Sequence, residues 1–230
     1  MIPLRDDNPT VLWPILTVTF ILANIAVFFY QLSLLSVNER LAEKFIYQMG
    51  MVPAALTYGR VPGAGGYYTL VTSMFLHGSL LHLGGNMLYL WIFGNNIEDS
   101  LGHLRFIVFY LIVGVVAAAT HIYFNAGSTV PTIGASGAVS GILGAYLMLF
   151  PHARIKTLVP LGIFISVVYL PAWVLLLFWI GLQFLYQALE PMDPRAGGVA
   201  YAAHIGGFVA GFVLIHFFRK YRRRAHFRTY

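Results

Sequence analysis

Four residues of this chain stand where side chains could do chemistry together: Ser136, His204, His82 and Asn86. Ser136 sits in Gly134-Ala-Ser-Gly137 at the head of an apolar stretch, and His204 in Ala203-His-Ile-Gly-Gly207 within another. A serine beside a neutral histidine is a nucleophile with its general base. His82 and Asn86 are spaced i, i+4, on one face of a helix, and both can offer N–H donors. With the Ser136 backbone N–H they suit a tetrahedral oxyanion. No Asp or Glu lies in these stretches, so the sequence predicts a Ser–His dyad. Eight histidines also invite a metal reading through His77, His82 and His204. However, the chain carries no His-Glu-x-x-His motif, no intramembrane carboxylate and no cysteine, which argues against a metal or a cofactor.

The elements that must position these groups follow from composition. Of 230 residues, 59% are hydrophobic and 10% charged, against about 25% charged in a soluble domain. A soluble globule could not hide so much apolar surface, which excludes soluble, disordered, fibrous and coiled-coil classes. Six stretches approach the length of about 20 apolar residues that a spanning helix needs. They are residues 11–35, 79–98, 104–124, 136–150, 171–189 and 198–218. The expectation is a single all-α membrane domain over residues 1–230, a six-helix bundle with a short N-terminus (1–10) and a basic tail (219–230). No Asp, Glu, Lys or Arg lies in the interior of a span; Glu98 and Asp99 close the second.

Charge sets the orientation. With both termini inside, the inner face carries Arg5, Arg105, Arg154, Lys156 and six basic tail residues, and the outer face Arg40, Lys44, Arg60 and Arg195. The excess puts both termini in the cytoplasm. A basic tail after an apolar span reads as a membrane anchor and not as a nucleic-acid site. The first external loop, with Phe45, Met49, Tyr58, Tyr67 and Tyr68 among few charges, reads either as an interfacial segment against membrane lipid or as a packed cap with no role in recognition.

The fourth span is too short. Ser136 to Phe150 makes about 22 Å of helix, against a core of about 30 Å. Either the bilayer thins locally or the loop from Asn125 to Ala135 dips below the outer surface, which is tolerated where protein surrounds it or it lines a wet cavity. Measured from the cytoplasmic ends, His204 lies about 22 Å up, Ser136 about 21 Å, and His82 and Asn86 about 24 and 18 Å. The four side chains share one layer. Gly137, Gly141 and Gly144 on span four and Gly207 and Gly211 on span six form stripes that let two backbones approach. His204 lies on the face of Gly207 and Gly211, so it points at the helix that span six packs against.

An ordered series of motifs then resembles the rhomboid family of intramembrane serine proteases. His82-Leu-Gly-Gly-Asn86 resembles its His-x-x-x-Asn helix, and Glu98-Asp-Ser-Leu-Gly102 its acidic-to-glycine turn. Gly134-Ala-Ser136-Gly137 resembles its nucleophile motif, and Ala203-His204-Ile-Gly-Gly207-Phe-Val-Ala-Gly211 its Ala-His-x-x-Gly-x-x-x-Gly signature. The resemblance runs from about residue 10 to about residue 219. It implies cleavage of other membrane proteins in or near their transmembrane segments, with Ser136 as nucleophile, His204 as base, and His82, Asn86 and the Ser136 backbone as oxyanion donors. It also implies an inner-membrane location with the active-site cavity opening outward. The family's fifth span is implicated in substrate access, which makes Trp179, Phe178 and Phe184 candidates either for a gate or for lipid-facing bulk. Some members carry an aromatic ring one turn after the nucleophile, stacked on the histidine; here that residue is Ser140. A six-helix transporter and a non-catalytic client-binding relative stand as alternatives, and the oligomeric state is left open.

Overall fold

The computed structural model describes residues 1–59, 61–161, 164–189 and 198–219. Arg60, Arg195 and the basic tail from Lys220, all used in the sequence reading, lie outside the described residues. In chain order the elements are strand β1 (Ile2–Asp6), the long helix α1 (Ile15–Val37), and the loop helices α2 (Glu39–Met49), α3 (Pro53–Tyr58) and α4 (Thr69–Thr72). Next come α5 (Leu80–Tyr89), a π-helical turn (Leu90–Gly94), α6 (Asn95–Leu101), α7 (His103–Phe124) and α8 (Ser136–Leu149). A hairpin of β2 (Arg154–Leu161) and β3 (Phe164–Pro171) then leads into α9 (Ala172–Leu189), and α10 (Tyr201–Phe218) follows.

Four helices, α1, α7, α9 and α10, are long and apolar enough to cross a membrane. The other two expected spans take different forms. Residues 80–101 run as α5, the π turn and α6 in succession, so no single α-helix covers 79–98. The fourth, α8, has 14 residues and is sheathed by its neighbours: every residue from Ala138 to Leu147 is buried. Burial on α1 is inverted relative to a soluble helix. Thr17, Asn24, Phe28 and Gln31 face inward, while Leu22, Phe29, Leu32 and Leu35 are exposed. Polar groups turn to protein and apolar ones outward, which is the arrangement lipid demands.

The all-α expectation needs one correction. β1, β2 and β3 form an antiparallel sheet in the order β1-β2-β3. Pro3 pairs with Thr157 and Asp6 with Ile155, and Lys156 pairs with Tyr169. Ile155 and Thr157 are fully buried while Val167 and Tyr169 on the opposite face are exposed, the period of two that a half-covered strand requires. A search for 20-residue apolar spans passes over such eight-residue strands.

Two devices fix the helices that carry the site. At one end of the bundle, Pro14 offers α1 no side-chain cap; the fully buried Glu98 supplies it from α6. Its carboxylate accepts from Leu16 N at 2.9 Å, Thr17 N at 2.8 Å and Thr17 Oγ1 at 2.7 Å. Between α8 and α10 the glycine stripes interlock. A Cβ on Gly207 would collide with the Gly137 carbonyl oxygen, one on Gly211 with that of Gly141, and one on Gly144 with that of Phe208. Only hydrogen at these positions permits the approach, as small-residue seams between membrane helices require.

Candidate active site

Ser136 is the first residue of α8, and the residue before it, Ala135, provides no side-chain cap. The opening N–H groups of a helix have no intrahelical partner and carry the positive end of its dipole. The loop that delivers Ser136 is pinned to protein on both sides. Met51 and Thr132 exchange two backbone hydrogen bonds, and Gly134 N donates to Ser73 O at 2.9 Å. Gly134 has φ +128°, a conformation that favours glycine.

The glycine-packed α10 brings His204 to this point. Ser136 Oγ lies 2.8 Å from His204 Nε2, and the imidazole is 8% exposed. Its other nitrogen, Nδ1, lies 2.8 Å from Gln183 Oε1 on α9. The Gln183 amide is oriented by its own helix, since Nε2 donates to Trp179 O at 3.3 Å. That orientation turns Oε1 toward His204 as an acceptor, and an imidazole protonated at Nδ1 would leave Nε2 to accept from the serine hydroxyl. Ring contacts complete the pocket: the Trp179 ring lies 5.8 Å from the imidazole at 36°, and Tyr201 meets it edge-on at 6.4 Å. Ser140 instead turns back on its helix and donates to Ser136 O at 2.6 Å. The aromatic neighbour absent from position 140 is thus supplied by α9 and the first turn of α10.

The oxyanion candidates sit across the same opening. Ser79 caps α5 by accepting from His82 N at 3.1 Å. Asn86, buried on the next turn, has its Nδ2 3.0 Å from His77 Nε2, and His77 N in turn donates to Gln31 Oε1 at 3.1 Å. A Cβ built on Gly134 would stand 2.7 Å from His82 Nε2 and 3.7 Å from Asn86 Nδ2. Both side chains therefore converge on the backbone two residues ahead of Ser136. A cavity of about 1160 Å³ joins them, lined by His82, Asn86, Ser136 and His204 and walled by residues of the 125–134 loop. A hydroxyl within hydrogen-bond reach of an imidazole, beside convergent N–H donors, is equipped for nucleophilic attack on a carbonyl.

Sequence reasoning missed two members of this site. Gln183 stands eleven residues into α9, about 16 Å along it, and a depth count of uncharged polar residues on span five would have found it. His77 was weighed only as a metal ligand; here it faces Asn86. Of the three aromatic residues considered for a gate, Trp179 lines the cavity while Phe178 and Phe184 are about half exposed on α9.

Comparison with known proteins agrees with the motif series. The rhomboid domain family matches residues 64–221. The chain belongs to the rhomboid family. Rhomboid protease AarA of Providencia stuartii is 28% identical over 219 residues, covering 85% of this chain and 69% of that protein. Mitochondrial rhomboid protein 1 of Saccharomyces cerevisiae is 33% identical over 147 residues, 62% of this chain and 39% of the relative. Rhomboid protease GluP of Bacillus subtilis is 32% identical over 148 residues, 64% of this chain and 25% of the relative. The chain thus spans well under half the length of two of these three relatives. Family and apolar helices together make this rhomboid a multi-pass membrane protein.

Proposed function

We propose that this rhomboid is an intramembrane serine endopeptidase that hydrolyses peptide bonds in or near the transmembrane segments of other membrane proteins. The observation that carries the reading is the 2.8 Å contact of Ser136 Oγ with His204 Nε2 at the edge of a large cavity among apolar helices. In this reading Ser136 Oγ attacks the scissile carbonyl while its proton passes to His204 Nε2. The developing oxyanion takes hydrogen bonds from His82, Asn86 and the Ser136 N–H. Collapse expels the new amine, which leaves with the proton from His204; water, deprotonated by the same imidazole, then releases the acyl group. Two relatives bear the name rhomboid protease, which supports the same reaction. A transmembrane helix holds its carbonyls in hydrogen bonds, so substrates are expected to carry Gly, Pro or small polar residues near the cut.

The proposed topology is six spans, α5 to α6 counted as one, in the inner membrane with both termini cytoplasmic and the cavity open to the outside. A binding-only relative has no need of the serine–histidine pair, which favours catalysis over client binding. The test is labelling by a serine-directed phosphonate together with cleavage of a reconstituted single-pass substrate. Both should occur in the parent and disappear in Ser136→Ala and His204→Ala. Labelling that survives both substitutions would remove the dyad.

A further inference from the structure

We propose that Gln183 is the positioning residue of the catalytic base, so that the site works as a Ser136–His204–Gln183 relay in which an uncharged amide takes the place of an orienting acid. The inference rests on the protease reading and deepens it.

An imidazole can act as base toward Ser136 only if Nε2 is the unprotonated nitrogen and the ring plane points its lone pair at Oγ. Neither condition is set by Ser136, because a hydroxyl can donate or accept. The partner of Nδ1 must decide. Gln183 is 7% exposed, and its Oε1 lies 2.8 Å from Nδ1. The amide cannot be turned over without cost: a flipped side chain would set Oε1 against the Trp179 carbonyl oxygen, which now accepts from Nε2, and would turn an N–H toward Nδ1. The orientation that satisfies Trp179 is therefore the one that makes Nδ1 the protonated nitrogen. Trp179, one turn earlier on α9, limits ring rotation from the side. Among the described residues no Asp or Glu lines the cavity, and a neutral acceptor as buried as Gln183 involves no desolvated charge.

The test separates positioning from bulk. Gln183→Leu and Gln183→Met keep the volume and remove the acceptor; Gln183→Glu keeps an Oε1 at the same reach. Steady-state cleavage of a reconstituted transmembrane substrate should show kcat reduced at least about tenfold in Leu and Met with KM within about twofold, and recovery of most of that loss in Glu. An independent readout is 15N NMR of the histidine-labelled resting protein, with the His204 signals identified by difference from His204→Ala. The parent should show Nδ1 protonated, and Leu or Met a mixture of tautomers. Unchanged tautomer signals in whichever of the two folds, or kcat within twofold of the parent, would overturn the inference. Because the NMR readout needs no turnover, it stands apart from the phosphonate labelling that tests the protease reading itself.

Discussion

In the proposed mechanism the seam between α8 and α10 sets the distance between Ser136 and His204, and Gly211→Ala is the sharpest way to strain it. The new Cβ would lie 2.5 Å from Gly141 C and 2.7 Å from Gly141 Cα, and against the Gly141 oxygen. These are backbone atoms, so no rotamer change can relieve the contact. Carbon atoms sit comfortably at about 3.5–4.0 Å, so the helices must part by about 1 Å. His204 lies seven residues from Gly211 on the same face, and a rigid separation of α10 carries it along. The Ser136–His204 contact, 2.8 Å in the native arrangement, would open to about 3.8 Å, beyond hydrogen-bond reach. A misplacement of about 1 Å at a reacting centre costs on the order of 10²-fold in rate, and overpacking typically costs about 1–3 kcal/mol in stability. Gly181→Ala is the matched control, because a Cβ there meets nothing within 4 Å. Cleavage of a reconstituted substrate and thermal unfolding should both separate the two variants. If Gly211→Ala keeps kcat within twofold of Gly181→Ala, the seam does not set the catalytic distance and the reasoning fails.

Three further outcomes are expected. Asn86→Ala should lower kcat by about 10²–10³ with little change in KM, as loss of one oxyanion donor does; an effect confined to KM would reassign Asn86 to substrate binding. Glu98→Ala leaves Leu16 N, Thr17 N and Thr17 Oγ1 without their acceptor in a fully buried site, and should cost at least about 2 kcal/mol in unfolding measurements. Burial raises the Asp6 carboxyl above the usual carboxylate range, although hydrogen bonds from Tyr146 and Asn96 pull the other way. A raised folded value means that the favourable contribution of Asp6 is fully present below its unfolded pKa, near 3.8, and is lost as pH rises through the folded one. Asp6→Asn, which keeps an acceptor for both donors, should therefore be more thermostable than the parent at neutral pH, with the difference shrinking as pH falls toward 4; a gap that is constant with pH would refute this.

Much of this molecule could be read in advance because a membrane leaves few choices. The glycine stripes on spans four and six predicted close helix approach, and depth counting put Ser136 and His204 in one layer, where they meet because it is α8 that α10 packs against. The loop ahead of Ser136 was legible from the shortness of α8 alone. What escaped follows from the same filter. A window of 20 apolar residues does not register an eight-residue strand, so the hairpin was read as loop and its partner β1 as a tail. The π turn at Leu90–Gly94 leaves no mark in hydropathy, since a π turn and an α turn use the same residue types. Gln183 leaves no mark in a count of ionisable residues, yet in an apolar layer an uncharged amide is polar enough to be placed for a purpose.

The site is built from parts held by different forces, and that difference shapes how it can respond. Ser136 and His204 belong to helices joined backbone to backbone, where any added atom collides and where side-chain motion changes nothing. Gln183 and Trp179 belong to α9, which meets the base through side chains and turns Trp173, Leu177, Phe178, Phe184, Leu185 and Leu189 outward. The spacing of Ser136 and His204 is thus a property of the closely packed pair, while the proposed restraint on the orientation and tautomer of His204 comes from α9. Because Gln183 and Trp179 lie one turn apart on a single element, both restraints on the imidazole act or fail together. That no carboxylate lines the cavity among the described residues fits this division: a charged partner on α9 would bind α9 to His204 far more tightly than one amide hydrogen bond does, and would carry a desolvation cost that the proposed neutral relay avoids.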